Sequence, residues 1–569
     1  MRWARFAIAS ILAAGCSSSG GSASGETDTS GSSSDSNSNS TGDTGEGTDT
    51  SDTDVDPVEL EGVDEPWVAR LTDAQYRNTV EDVLGIELTE DEADALPPDI
   101  PTGRDYSTAV PTQSFSAQYV LAYADVARSI TARIDLPALL ASHGSCDDAT
   151  DPGCLEDFVQ GLGLRLYRRP LRDAEVDRLL DLAATIATHD ASTDDDVIAG
   201  LVQAMLQTPQ FLYRIERETD GQPGEVRPLD GYELATRLSY FLWQSAPDPA
   251  LLAFAAGPDG AGEYDPQALP AQIERMLASS KFARTRAMFW GDYTMASRSS
   301  FGTGDLELAV ELRESLLANL ERLSGVGADP RPLSDLFDGK ELVMTEAVAE
   351  LAGIDAPASG THVYDVSEAE QRLGVVTHPA FLASIGTTSF VGRGLFLSER
   401  LLCQHVAEPP PGVAEQIEAT AQATADMTPR EASEFRFGLE PVCQTCHYQF
   451  EPIAYAFERY DITGRYTPRD DQGRDLYSDG VLPLFGDRPE IAFEDARELL
   501  GGLAGLPPTH RCFVQNMAQF GLGRPPLLDG DWLDLTTEQF DTLGSTFDAL
   551  VQVVALGDSM THSKVVEPG

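Results

Sequence analysis

The sequence predicts a mainly α fold: a multi-module helical body with one small β-hairpin or loop region near its C-terminal third, preceded by a disordered tether. Three observations predict it. After residue 66 apolar side chains recur at helical spacing through most of the chain, which lays them along one face of each helix. Capping residues, glycines and prolines bracket these runs, as helix starts and stops require. Residues 17 to about 65 are Ser, Gly, Thr, Asp and Glu with almost no large apolar side chain, and cannot bury enough surface to offset the entropy of ordering.

The first element is MRWARFAIASILAAGC. Two arginines, an apolar run and small residues ending at Cys16 read as a lipoprotein-type signal peptide, residues 1–15, with Cys16 as the lipidated mature N-terminus. Leu12 stands one position further from Cys16 than the usual cleavage box places it, with Ala13 in its slot, so a soluble periplasmic product is the alternative. The tether, residues 16–65, would stand the body off a membrane while a diacyl group anchors it. No later segment approaches eighteen continuous apolar residues, so the expected membrane contact, at the outer membrane or cell surface, is the lipid anchor alone.

The body divides along its punctuation. LTDAQYRNTVEDVLG sets Thr72 and Gln75 in capping-box spacing, puts Tyr76, Val80, Val83 and Leu84 on one stripe, and stops at Gly85, opening a helical module at 66–135. CLEDFVQGLGLRLYRRPLRDAEVDRLLDLAATIA gives two helices broken at Pro170, and DDVIAGLVQAMLQTPQFLYRIE another ending near Thr208 and Pro209; these form a module at 136–220. LDGYELATRLSYFLWQSAPDPALLAFAA carries Leu234, Leu238, Phe241 and Leu242 as an apolar face in a module at 225–355. A module at 365–468 holds a Cys-x-x-Cys-His motif, and a C-terminal module follows at 469–560. GRYTPRDDQGRDLYSDGVLPLFGDR reads as the hairpin or loop pair, and FEDARELLGGLAGL and RCFVQNMAQFGLGR as helices.

Lys and Arg number 39 against 93 Asp and Glu, a formal net charge of -54. Such a surface repels phosphate backbones and anionic headgroups, which argues against nucleic-acid binding. It suits a solubilising exterior or docking to an unknown, basic redox partner.

The seven cysteines are Cys16, Cys146, Cys154, Cys403, Cys443, Cys446 and Cys512. With Cys16 lipidated and Cys443 and Cys446 otherwise engaged, four remain, an even number for an oxidising compartment. Cys146 and Cys154 close the turn-rich SCDDATDPGC, where Asp-Pro-Gly lets the chain double back and the two pair. Cys403 with Cys512 follows by elimination. A buried free thiol is the alternative for each.

VCQTCHYQF supplies what haem c attachment needs: two thiols one turn apart and a histidine immediately after them. Covalent haem c on Cys443 and Cys446, with His447 on the iron, is the leading expectation. Zinc would need further ligands at short spacing, and no second Cys-x-x-Cys or His-x-x-x-His exists. A redox disulfide of thioredoxin type expects an α/β context. Zinc with distant ligands and a Cys443–Cys446 disulfide stay open. Downstream, Pro452 fits the first turn of a helix, with Ile453, Ala456, Phe457 and Tyr460 as an apolar wall suited to a haem plane and Gly464 as cap. Glu458, Asp461 and Arg465 read as a local ion-pair set. Arg393, between glycines in the loop GTTSFVGRG, could meet a haem propionate or an acidic substrate, or simply build a turn.

LTDAQYRNTVEDVLG, LYRRPLRDAEVDRLL, TPQFLYRIE, LATRLSYFLWQSAPD, LGVVTHPAFLASIG, GRGLFLSERLLC, MTPRE, CQTCHYQFEPIAYAFERYDITGRY and RCFVQNMAQFGLGR occur in this order over about 66–530. In that order they resemble the exported, cytochrome-bearing proteins of planctomycete type, built from a tandem series of domains of unknown function, and the chain is identified as a lipoprotein member. The resemblance implies export and a cytochrome-like signature without an established activity. It also implies a histidine several residues ahead of the first haem cysteine, where this chain has Phe435, Arg436 and Phe437. The sixth iron ligand is therefore open. Met427 resembles a family motif position and leads, with Met517, His378 and His510 behind it.

Three functions are weighed: a membrane-tethered electron-transfer or oxidoreductase protein; a non-enzymatic surface scaffold or binding lipoprotein with a Cys443–Cys446 disulfide; and a haem enzyme such as a peroxidase, which an unfilled sixth position would favour. No Gly-x-Ser-x-Gly, His-Glu-x-x-His, phosphate-binding Gly-Lys-Ser/Thr loop or dinucleotide fingerprint is present.

Overall fold

The computed structural model describes residues 63, 68–99, 105–109, 116–144, 146, 148–189, 192–216, 222, 224–297, 299–325, 330–355, 360–406, 413–439, 441–484, 490–524 and 530–565. All belong to the unit Glu59–Gly569. The expected signal peptide, Cys16 and all of the tether but Val63 lie outside the described residues.

Local signals place the helices. Asp73–Leu84 opens on the expected capping box: Thr72 Oγ1 accepts from Gln75 N at 3.1 Å and Gln75 Oε1 from Thr72 N at 3.2 Å. It closes at Gly85, whose φ of 69° is left-handed and carries no Cβ penalty in glycine. Pro152–Tyr167 and Asp173–Ala187 flank Pro170, and Asp194–Leu206 ends before Thr208, which caps the short helix Pro209–Leu212. One core draws on all of these, through Tyr76, Val80, Phe158, Leu162, Leu201 and Phe211.

A larger core begins at Tyr106 and runs to Met560. The helix Gly231–Leu242 turns its expected Leu234, Leu238, Phe241 and Leu242 into it. At its centre Phe289 meets Trp290 at 5.0 Å and Phe520 at 5.4 Å, edge to face, an arrangement that adds to simple burial.

The described strands form four antiparallel pairs. Val68–Arg70 pairs with Tyr213–Ile215, Val226–Pro228 with His562–Lys564, Glu341–Met344 with His362–Asp365, and Gly480–Leu482 with Ile491–Phe493. Of these, only Gly480–Leu482 lies in the stretch where the sequence suggests a hairpin, its partner Ile491–Phe493 falling just beyond it, and before it the chain turns through the isolated bridges Tyr460–Tyr466 and Arg469–Asp475. The other three pairs are absent from the sequence reading. Strands of three or four residues show too little alternation to register as period two. Among the described residues no helix is long and apolar enough to cross a membrane.

Both expected disulfides, Cys146–Cys154 and Cys403–Cys512, are present. They close sequence separations of 8 and 109 residues, and loop-closure entropy grows with the logarithm of length. Replacing Cys403 and Cys512 together by alanine should therefore cost about 4–5 kcal/mol, and the Cys146 and Cys154 pair about half that. Urea unfolding of the two variants checks the order, and equal costs would contradict it.

Candidate functional site

The Cys-x-x-Cys-His motif lies on the helix Pro441–Tyr455, which passes through Pro452 rather than beginning there. Proline lacks the N–H that would bond back to the Tyr448 carbonyl, a loss the helix carries because Pro452 falls in its last turn. Two helices hold it in place. Pro429–Phe437, started by a capping box between Thr428 and Glu431, runs just ahead of it in the chain. Phe390–Leu402 packs across it so closely that a Cβ on Gly394 would collide with the Phe450 carbonyl.

Arg393 is therefore not in a loop facing a ligand. It sits in the helix Phe390–Leu402, 1% exposed, and donates to the carbonyls of Phe457 at 2.6 Å, Tyr460 at 3.1 Å and Asp461 at 3.4 Å. Its two glycines lie inside the helix and make room for neighbours: a Cβ on Gly392 would meet Thr387 in the loop just before the helix, and one on Gly394 would meet Phe450 of the motif helix.

Cys443 and Cys446 are half-buried and not bonded to each other. His447 follows directly, its side chain 25% exposed. Its Nδ1 lies 2.8 Å from Oε1 of Glu451, one turn further along the helix. Glu451 is fully buried; its Oε2 accepts from Ser433 Oγ at 2.6 Å and Tyr455 Oη at 3.2 Å. A carboxylate only accepts. Nδ1 is thus the donor of this bond, and Nε2 has no hydrogen-bond partner among the described residues. Phe437 and Phe450 flank the imidazole, with ring centroids 4.5 and 5.1 Å away. Burial and the neighbouring Glu451 push the Tyr455 hydroxyl above its ordinary range, which keeps it a donor.

The remaining candidates fall elsewhere. Ile453, Ala456, Phe457 and Tyr460 belong to the larger core; the aromatic rings against His447 are instead Phe437 and Phe450. Phe437 is one of the three residues standing where the resemblance implies a histidine. Glu458, Asp461 and Arg465 form no ion pair with one another: Asp461 Oδ1 accepts from Thr463 N, Thr463 Oγ1 and Arg465 N, closing a turn at Gly464. Such a turn satisfies the carboxylate locally.

His378 is fully buried, with Nδ1 accepting from Ala380 N at 3.0 Å and Nε2 at 3.1 Å from the Val343 carbonyl, and burial pulls its pKa down to about 3. His510 pairs with Asp541 at 2.6 Å, and Met517 is fully buried in the larger core. Each is engaged by these partners or packed in that core. Met427 is half-buried, one residue before the cap of the helix that carries Phe437.

The donor set fits haem c: two free thiols one helical turn apart, then an imidazole whose far nitrogen is held by a carboxylate, the arrangement that orients metal-ligating histidines. Among the described residues no group of three or more His, Cys, Asp or Glu is placed to hold a metal ion, so zinc finds no complete ligand set there. Sequence reasoning missed Glu451 and Ser433. The i,i+4 spacing of His447 and Glu451 was the available signal, but spacing does not reveal that the carboxylate is buried.

Four family models match in tandem. They are PSD3, protein of unknown function (DUF1587), at residues 69–135; PSD5 (DUF1595) at 154–216; PSD4 (DUF1592) at 229–354; and PSCyt3 (DUF1588) at 372–470, the last spanning the motif helix. No curated protein and no solved structure matches the chain.

Glu458, just past the motif helix, has a buried Oε2 without a partner, and burial raises its pKa from 4.5 to about 7. A carboxyl raised in the folded state binds its proton more tightly there. Its contribution to stability is present below about pH 4.5 and is lost as pH rises through about 7. Urea midpoints measured from pH 5 to 8 should fall in the wild type relative to Glu458→Gln; parallel curves would exclude this assignment.

Proposed function

Because the chain belongs to this tandem module series of the planctomycete cytochrome-associated type, we propose that it is a membrane-tethered, exported c-type haem protein of electron-transfer or oxidoreductase function. The observation that carries this reading is the donor set on one stretch of helix: free Cys443 and Cys446, and His447 with Nδ1 already engaged by Glu451. Cys443 and Cys446 would hold the haem through thioether bonds to its two vinyl groups. His447 would present Nε2 to the iron, with Glu451 keeping the ring from rotating away. Haem bound there supplies a one-electron iron couple.

The acid excess of the chain favours a basic partner, whose approach it would steer. Lipid on Cys16 supplies the tether to the membrane.

Protein exported from cells that carry the haem-maturation machinery should give a covalent pyridine haemochrome spectrum, which Cys443→Ala with Cys446→Ala abolishes. A wild type without covalent haem sinks the reading. Cys16→Ser should move the protein from the membrane fraction to the soluble one, and unchanged membrane association would rule out the lipid anchor.

A further inference from the structure

Glu451 is an unusual partner for a haem histidine because of what surrounds it. Three donors converge on a fully buried carboxylate: His447 Nδ1 on Oε1, and Ser433 Oγ with Tyr455 Oη on Oε2. No lysine or arginine among the described residues bonds to it. Arg430 instead places its guanidinium 4.6 Å over the ring of Tyr455. Beside it on the helix, Phe450 and Ala454 are buried, and Ala454 and Tyr455 pack with Phe390. The carboxyl group is therefore met only by hydroxyl and imidazole donors, in a medium of low dielectric where hydrogen bonds are electrostatically stronger than in water.

We propose that Glu451 is a positioning residue that sets the electron-donating strength of His447. By drawing on the Nδ1 proton from inside the fold, it makes Nε2 a stronger axial donor than a histidine bonded to a neutral carbonyl, and so favours ferric over ferrous iron. The inference rests on the reading of the preceding subsection. Its physical basis is that outer-shell acceptors raise the basicity of a ligating imidazole, and that a more basic axial ligand stabilises the more positive iron.

The test is a mediated redox titration of the full-length, haem-loaded protein. Glu451→Gln is isosteric and can accept from Nδ1 only as a neutral amide. In the fraction that carries haem, it should raise the midpoint enough to increase the ferrous-to-ferric ratio about tenfold at the wild-type midpoint, about 59 mV for one electron. Ser433→Ala removes a donor from the opposite oxygen and concentrates charge toward His447, so its midpoint should move the other way. Opposite signs are not the result of a role in packing alone. An unchanged midpoint in loaded Glu451→Gln, or shifts of the same sign in both variants, would overturn the inference while leaving haem attachment standing. A wild type without haem would overturn both. Nitrogen-15 shifts of His447 in protein made without haem give a second readout: Nδ1 protonated supports the inference and Nε2 protonated overturns it.

Discussion

The buried guanidinium of Arg393 is the constraint on which the cysteine-histidine helix depends. Where the helix ends at Tyr455 the chain turns sharply back, and the carbonyls of Phe457, Tyr460 and Asp461 need partners once they leave water. Arg393 supplies them from the neighbouring helix. Burial lowers its pKa only to about 10, so it stays charged at neutral pH. One residue on, the missing side chain of Gly394 lets the two backbones touch at Phe450. The motif helix is thus fixed at Phe450 and again just past its end, and Glu451 lies between these anchors. A carboxylate that must meet His447, Ser433 and Tyr455 at once needs a backbone held this firmly.

The same device recurs through the body. Arg168 donates to the carbonyls of Leu166, Phe211, Gln210 and Tyr213, Arg237 to those of Ser559, Met560 and His562, and Arg372 to those of Thr377 and Gly464. All three are buried. In a chain with 39 basic and 93 acidic residues, arginines placed inside as caps for irregular backbone are arginines withdrawn from the surface. The exterior is accordingly more acidic than the composition alone suggests, which sharpens the repulsion of anions.

What the sequence made legible was local. The capping box at Thr72 and Gln75, the break at Pro170 and the face of Leu234, Leu238, Phe241 and Leu242 each depend on residues a few positions apart, and each is found. What it concealed was the environment of a residue. Two glycines around Arg393 read as a turn because glycine's tolerance of turns is a local property, while its lack of bulk against Phe450 is a tertiary one. Pro452 read as a helix start for the same reason. Of the site, Cys443, Cys446 and His447 were visible as a motif, whereas Glu451 was an ordinary acid until its burial and its three donors were known. Cys403 and Cys512 were paired by counting; the fold supplies the reason, bringing their Cα atoms to 5.3 Å across 109 residues.

The pairing of Val226–Pro228 with His562–Lys564 has a consequence for how the chain is made. A strand near the middle waits for a partner more than three hundred residues later, and Arg237 waits for carbonyls in the same late segment. Ribosomes add roughly 5–20 residues per second, so for tens of seconds the apolar face of Gly231–Leu242 has no finished core to enter. The core around Tyr76 and Phe158 draws its side chains from residues 71–246 and can close early. The larger core, by contrast, is complete only once the last segment, His562–Lys564, is present to pair with Val226–Pro228.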